Sequence, residues 1–152
     1  MRWQQIEYGS PHYQAACTLR QDILRTPLGL TLDPEELALE SAHWHFGLFT
    51  PESRLVACLC IVPLTVPLTA PLTKARVKLR QMAIAEEFQH QGLGRQLIAA
   101  TEQFLRAKGI GSIELHARHS AVAFYHKLGY RETGPGFIEV GIPHQKMEKF
   151  FD

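Results

Sequence analysis

Gln89-His90-Gln91-Gly92-Leu93-Gly94-Arg95 is the stretch on which the reading of this chain turns. It follows an alternating apolar run, Val77 to Ala85, and opens a segment from Gly92 to about Lys108. That segment carries Leu93, Leu97, Ala100, Thr101, Phe104 and Leu105 on one helical face. Two glycines let a backbone turn and approach a ligand without Cβ clashes. The first N–H groups of a helix lack internal partners and sit at the positive end of its dipole. A strand, glycine loop and helix in this order therefore form a cradle for phosphate or pyrophosphate. Spacing excludes two nucleotide motifs built on the same logic. A P-loop needs Gly-Lys-Ser/Thr where Gly94-Arg95-Gln96 stands, and the dinucleotide fingerprint needs a small residue where Leu97 stands. The pattern Gln-x-x-Gly-x-Gly remains.

Outward from this loop the chain alternates strands and helices. Trp3 to Tyr8 reads as a strand, and Ser10-Pro11 starts a helix that runs to Arg25 before Pro27-Leu28-Gly29. Asp33-Pro34-Glu35-Glu36 opens a second, short helix with an N-cap and two acids in its first turn. His45 to Thr50 and Arg54 to Val62 read as a strand pair around Pro51-Glu52-Ser53. Residues 62–73 then repeat Val-Pro-Leu-Thr, Val-Pro-Leu-Thr and Ala-Pro-Leu-Thr. A proline every fourth residue suits neither a central strand nor a helix, so this is read as an extended connection. Beyond the long helix, Gly109 is its stop and Ile113 to Ala117 a strand. Ser120 caps a short helix to Leu128, and Tyr130 to Thr133 and Phe137 to Val140 follow as strands. A last one comes from the tail, Gln145 to Phe150. The expectation is one α/β domain over residues 1–152.

Composition narrows the function. The 152 residues are 45% apolar and 20% charged, an ordinary globular balance. A net charge of +1 argues against a nucleic-acid-coating role. The total hides a tilt, −3 over residues 1–73 and +4 over 74–152, which would place a polyanion-binding loop in the basic half. No apolar run reaches a membrane span, and Met1 to Glu7 lacks the apolar core of a signal peptide. Cys17, Cys58 and Cys60 read as free thiols of a cytoplasmic protein. His43-Trp44-His45 has no ligand-spaced companion, so no metal is expected.

Gln89-x-x-Gly92-x-Gly94, preceded by Leu79-Arg80-Gln81-Met82-Ala83-Ile84 and followed by Phe124-Tyr125-His126-Lys127-Leu128-Gly129-Tyr130, resembles the GNAT N-acetyltransferase superfamily. The element order matches that fold over essentially the whole chain. The ending Gly141-Ile142-Pro143-His144, with the Ile-Leu-Arg-x-Pro-Leu-Gly run from Ile23, is similar to the ElaA-like branch of bacterial GNAT proteins. The resemblance implies a single mixed, mostly antiparallel sheet, splayed between two central parallel strands and flanked by about four helices. It also implies acetyl-CoA as the cofactor and transfer of its acetyl group to a primary amine of a small molecule or protein.

Residue by residue, the resemblance assigns cofactor binding to Met82, Ala83 and Ile84 and to Gln89, His90, Gln91, Gly92, Leu93, Gly94 and Arg95. Backbone N–H groups of the loop would hold pyrophosphate, and those of the strand the pantetheine arm and the oxyanion. Tyr125 matches the tyrosine that protonates the departing thiolate in many relatives, and a phenol with a pKa of ~10 suits that role. An attacking amine must lose a proton, and His116, Glu114, Glu139 and His144 are the candidate acceptors. Glu139 and His144, in the terminal motif, are also candidates for shaping the acceptor pocket. Where many relatives carry an Asn that contacts the cofactor arm, this chain has Arg118, which could instead reach phosphate. A homodimer is a common state in the family. Two other classes stay open: a catalytically silent acyl-CoA-binding or sensor domain, and an interaction module using the Pro-Leu-Thr repeats.

Overall fold

Twelve elements follow one another along the chain: β1 (Arg2–Ile6), α1 (Pro11–Arg20), α2 (Pro34–Ala38), β2 (Trp44–Phe49), β3 (Leu55–Pro63), β4 (Arg76–Ile84), α3 (Leu93–Ala107), β5 (Ser112–Arg118), α4 (Val122–Lys127), β6 (Arg131–Glu132), β7 (Phe137–Glu139) and β8 (Ile142–Phe150). They are seen in a computed structural model that describes residues 1–65 and 75–151. Most of the Pro-Leu-Thr repeat, from Val66 to Thr73, lies outside the described residues. The strands form one eight-stranded sheet in the order β1-β2-β3-β4-β5-β8-β6, with β7 on β8. The β4–β5 pair is parallel and the pairs β1–β2, β2–β3, β5–β8, β6–β8 and β7–β8 are antiparallel, the mixed α/β arrangement expected from the sequence. Two compact units divide the chain: Met1–Val62 with Gln81–Phe104, and Pro63–Arg80 with Leu105–Asp152.

In the first unit, Ser10 caps α1 by accepting a hydrogen bond from the Tyr13 N–H at 3.2 Å, with Pro11 at the first helical position. Tyr13 and Ala16 turn inward against Ile6, Phe49, Cys58 and Ala83. The α-helix expected through Arg25 ends at Arg20 and widens into a π turn, Gln21–Arg25, before a 3-10 turn that Gly29 closes at φ 70°. Gln21 anchors that change, since its side-chain amide donates to Leu30 O and accepts from Leu32 N. Asp33 caps α2 as expected. A second cluster forms around Trp3, which stacks on Phe46 at 5.1 Å, meets Phe104 of α3 and donates its indole N–H to Thr101. Leu97 and Ile98 are buried along α3, about 1.5–3 kcal/mol each by transfer.

In the second unit, β5 runs parallel to β4 from Arg76↔Ser112 to Leu79↔Leu115 and antiparallel to β8 from Ser112↔Phe150 to Arg118↔His144. Gly109 at φ 83° stops the long helix, with its N–H and that of Ile110 reaching back to Arg106 O and Leu105 O. Two sequence expectations are corrected here. Ser120 does not cap α4: a 3-10 turn, His119–Ala121, leads into the helix, and Ala121 holds the cap position without a side-chain bond. The last strand begins at Ile142, not Gln145, because Val140 (φ 47°) and Gly141 (φ 75°) form a two-residue hairpin turn. Among the described residues no helix is long and apolar enough to cross a membrane. Cys17, Cys58 and Cys60 form no disulfide.

Candidate active site

In the first unit, the end of β4 and the start of α3 are joined by one side chain. Gln89 donates from its amide to Ile84 O at 2.9 Å, which fixes the loop onto the strand that carries Met82, Ala83 and Ile84. Gln91 donates to Glu87 O, and His90 and Gly92 both hold positive φ, 61° and 80°, to turn the chain into the helix. Gly92 O accepts from Gln96 N as the helix begins. A glycine there offers no side-chain oxygen of its own to the first-turn N–H groups of Leu93, Gly94 and Arg95. A Cβ built on Gly92 would meet nothing within 4 Å, so the space in front of the turn is open. Leu93 is buried and pins the turn, while Arg95 is exposed and makes no ion pair among the described residues. The donor set fits a polyanion such as the pyrophosphate of a nucleotide cofactor.

The second unit holds a polar cluster on one face of β4, β5, β7 and β8. His116 Nδ1 lies 3.1 Å from Glu139 Oε1, and His144 Nε2 lies 3.7 Å from Glu139 Oε2. Lys78 Nζ approaches His116 Nδ1 at 3.4 Å, and the Phe137 ring packs against both imidazoles. His144 Nδ1 is 2.7 Å from Ile142 O, so that nitrogen carries the proton and Nε2 faces the carboxylate. Glu139 sits below the usual carboxylate range: partial burial opposes this, and the His116 bond with the charges of His116, His144 and Lys78 outweighs it. Lys78 is lowered by burial and by Arg80, with Glu139 and Glu114 pulling the other way. Glu114, the fourth candidate base, is buried and bonded to Arg76 at 2.7 Å, with Lys146 at 3.6 Å.

Tyr125 lies elsewhere in this unit, on α4. It is 8% exposed, with its ring against Phe124 and Tyr130. Burial pushes its phenol up to about 12. Arg118, at the end of β5, is exposed and makes no ion pair among the described residues.

The family described as acetyltransferase (GNAT) domain matches residues 69–151, more than half of the chain. This chain belongs to the GNAT acetyltransferase family. YyaT, an uncharacterized protein of Bacillus subtilis, is 38% identical over 72 residues, covering 47% of this chain and 49% of that protein. The chain thus spans about half the length of the curated relatives it matches. Among solved structures, an aminoglycoside 6'-N-acetyltransferase complexed with coenzyme A superposes with a TM-score of 0.72 at 16% identity, over 99% of this chain and 97% of that one. ElaA of Escherichia coli superposes with a TM-score of 0.75 at 21% identity, over 97% and 98%. At these identities the likeness is one of fold.

Within this GNAT chain the structure brings together Gln89 and Ile84 in one unit, and His116, Glu139 and His144 in the other. It also exposes groups the sequence did not single out. Lys78 and Phe137 join the histidine cluster. In the first unit Arg20 and Glu40 form a buried pair, with Tyr13 Oη and Arg20 Nη1 both on Glu40 Oε1 at 2.7 Å. Arg20 occupies the apolar stripe Tyr13, Ala16, Arg20, and a charge on such a stripe is the signal that was there to read. Glu40, His45 and Cys60 also place donor atoms within 4.8 Å of one another. Their bonds are protein ones: Arg20 holds both oxygens of Glu40, His45 Nε2–H donates to Glu40 O at 2.8 Å, and Cys60 Sγ meets His45 Nδ1 at 3.3 Å.

Proposed function

We propose that residues 1–152 work as one acetyl-CoA-dependent N-acetyltransferase domain of the ElaA-like branch, acting on a primary amine of a small molecule or protein. The observation that carries this reading is the open glycine turn at Gly92 that leads into α3, locked to β4 by Gln89, in a chain of the GNAT family. Acetyl-CoA, when bound, supplies an activated acetyl thioester. Leu93, Gly94 and Arg95 N–H groups would hold its pyrophosphate, and backbone groups of Met82, Ala83 and Ile84 its arm. The exposed guanidiniums of Arg95 and Arg118 would add charge.

Tyr125 Oη would act as proton donor to the departing sulfur. Its raised pKa keeps it protonated through the physiological range. His116 would act as base. With Nδ1–H donated to Glu139, Nε2 keeps a lone pair for the amine's proton, and Glu139 balances the charge His116 then gains. His144, held by Ile142 O, would shape the acceptor pocket from the Gly-Ile-Pro-His segment.

Titration with coenzyme A and acetyl-CoA, followed by thiol release across an amine panel, tests this. Binding with transfer supports it, and binding without transfer to any amine favours a silent acyl-CoA sensor. In the same assay Tyr125→Phe should cut turnover by about 10²-fold while leaving coenzyme A affinity within about twofold. An unchanged turnover removes Tyr125 from the chemistry.

A further inference from the structure

We infer that Arg20 is a positioning residue for the segment of β4 that receives the acyl-CoA arm, acting through Gln81. Gln81 sits inside a strand with φ 56°, a left-handed conformation that costs an L-residue about 1–2 kcal/mol. Among the described non-glycine residues with positive φ, Ser53, His90 and Val140 lie outside the strands, so Gln81 stands apart. An irregularity of this kind re-aims the backbone groups that follow it, and those belong to Met82, Ala83 and Ile84.

Something must hold that conformation, and the structure shows what. Arg20 Nε donates to Gln81 Oε1 at 2.8 Å. The same guanidinium grips both oxygens of Glu40 at 2.7 Å, and it is 1% exposed. Tyr13 Oη donates to Glu40, and His45 donates to the Glu40 carbonyl, so the carboxylate's position is fixed from two further elements. A planar fork held by two bonds to one carboxylate has little freedom left, and its Nε–H is spent on the strained Gln81 of β4. At the other end of the segment, Gln89 holds Ile84 O. Met82–Ile84 is therefore clamped on both sides by side-chain hydrogen bonds, one from a buried ion pair and one from the glycine loop.

This inference rests on the acyl-CoA reading above, and the experiment separates the two. Gln81→Gly keeps the left-handed backbone free of strain but removes the tether. Arg20→Met/Glu40→Met removes both charges together, leaving no buried charge unpaired. The probes are acetyl-CoA and adenosine 3′-phosphate 5′-diphosphate, which carries the pyrophosphate but no arm. Both variants should keep a cooperative melt, bind the nucleotide within about twofold of wild type, and bind acetyl-CoA about tenfold more weakly. Equal affinity of either folded variant and wild type for acetyl-CoA overturns the positioning role, as does an equal loss for both probes. A wild-type chain that binds neither probe overturns the acyl-CoA reading itself, and this inference with it.

Discussion

The Arg20–Glu40 network of the first unit and the His116–Glu139–His144 network of the second are built on opposite plans. Arg20–Glu40, with Tyr13, Gln81 and His45, is sealed: Arg20 and Glu40 side chains are 2% and 4% exposed, and both carboxylate oxygens are bonded. Burial works against both charges, yet each outweighs it for the other, so Arg20 is raised and Glu40 lowered. His116–Glu139–His144 is open: Glu139 is 45% exposed and its contacts, at 3.1 and 3.7 Å, are longer. A sealed network has no vacant lone pair for a substrate and can only hold its surroundings in place. An open one keeps capacity to take up and release protons. The contrast separates architecture from chemistry more sharply than residue type does, since both networks contain histidine and glutamate.

The sharpest way to break this comparison is Arg20→Met. Removing one partner strands the Glu40 carboxylate, and about 3–5 kcal/mol of stability should go, read by denaturant melts. A loss under about 1 kcal/mol would mean the sealed network is no more structural than a surface pair. Glu139→Gln should do the reverse. Turnover should drop about tenfold or more, with the loss concentrated in kcat, while the melt shifts by under about 1 kcal/mol. If the variant unfolds as Arg20→Met does, the second network belongs with the first.

Acid gives a finer test. Glu40 and His45 are both lowered on folding, Glu40 by the Arg20 and Tyr13 bonds against its burial and His45 chiefly by burial. The stability each contributes is present above its unfolded pKa, about 4.3 for Glu and 6.5 for His, and is lost as pH falls through the folded value. Melting temperature should begin to fall below about pH 6.5, and His45→Phe should flatten that first part of the decline. Glu139 has the same sign, but its exposure screens it, so Glu139→Gln should leave the acid profile nearly unchanged. A decline that vanishes in Glu139→Gln instead would reverse the ranking of the two networks.

Much of this was legible in order along the chain, because the signals are local. Ser10-Pro11, Asp33-Pro34 and Gly109 mark helix ends by chemistry confined to a few residues, and each stands where that chemistry puts it. The glycine loop was readable for the same reason. What escaped the sequence depends on tertiary partners. A π turn at Gln21–Arg25 keeps an apolar pattern close to that of an α-helix, and Ser120 offers a hydroxyl that the 3-10 turn does not use. Gln81 carries no local mark of its left-handed backbone, since the reason for it lies 61 residues earlier in Arg20. The hairpin turn escaped because valine is a poor residue for positive φ, so Val140 read as the end of a strand.

That hairpin makes residue count a chemical variable. Only Val140 and Gly141 separate Glu139 from its cross-strand partner Ile142, and the side chains of a strand alternate between faces. One residue inserted between Glu139 and Val140, with the turn kept, would move the carboxylate one place back along β7 and onto the opposite face, away from His116. An insertion that changes no existing side chain would then remove the same carboxylate as a direct replacement. Here the spacing between residues is inherited as strictly as their identity.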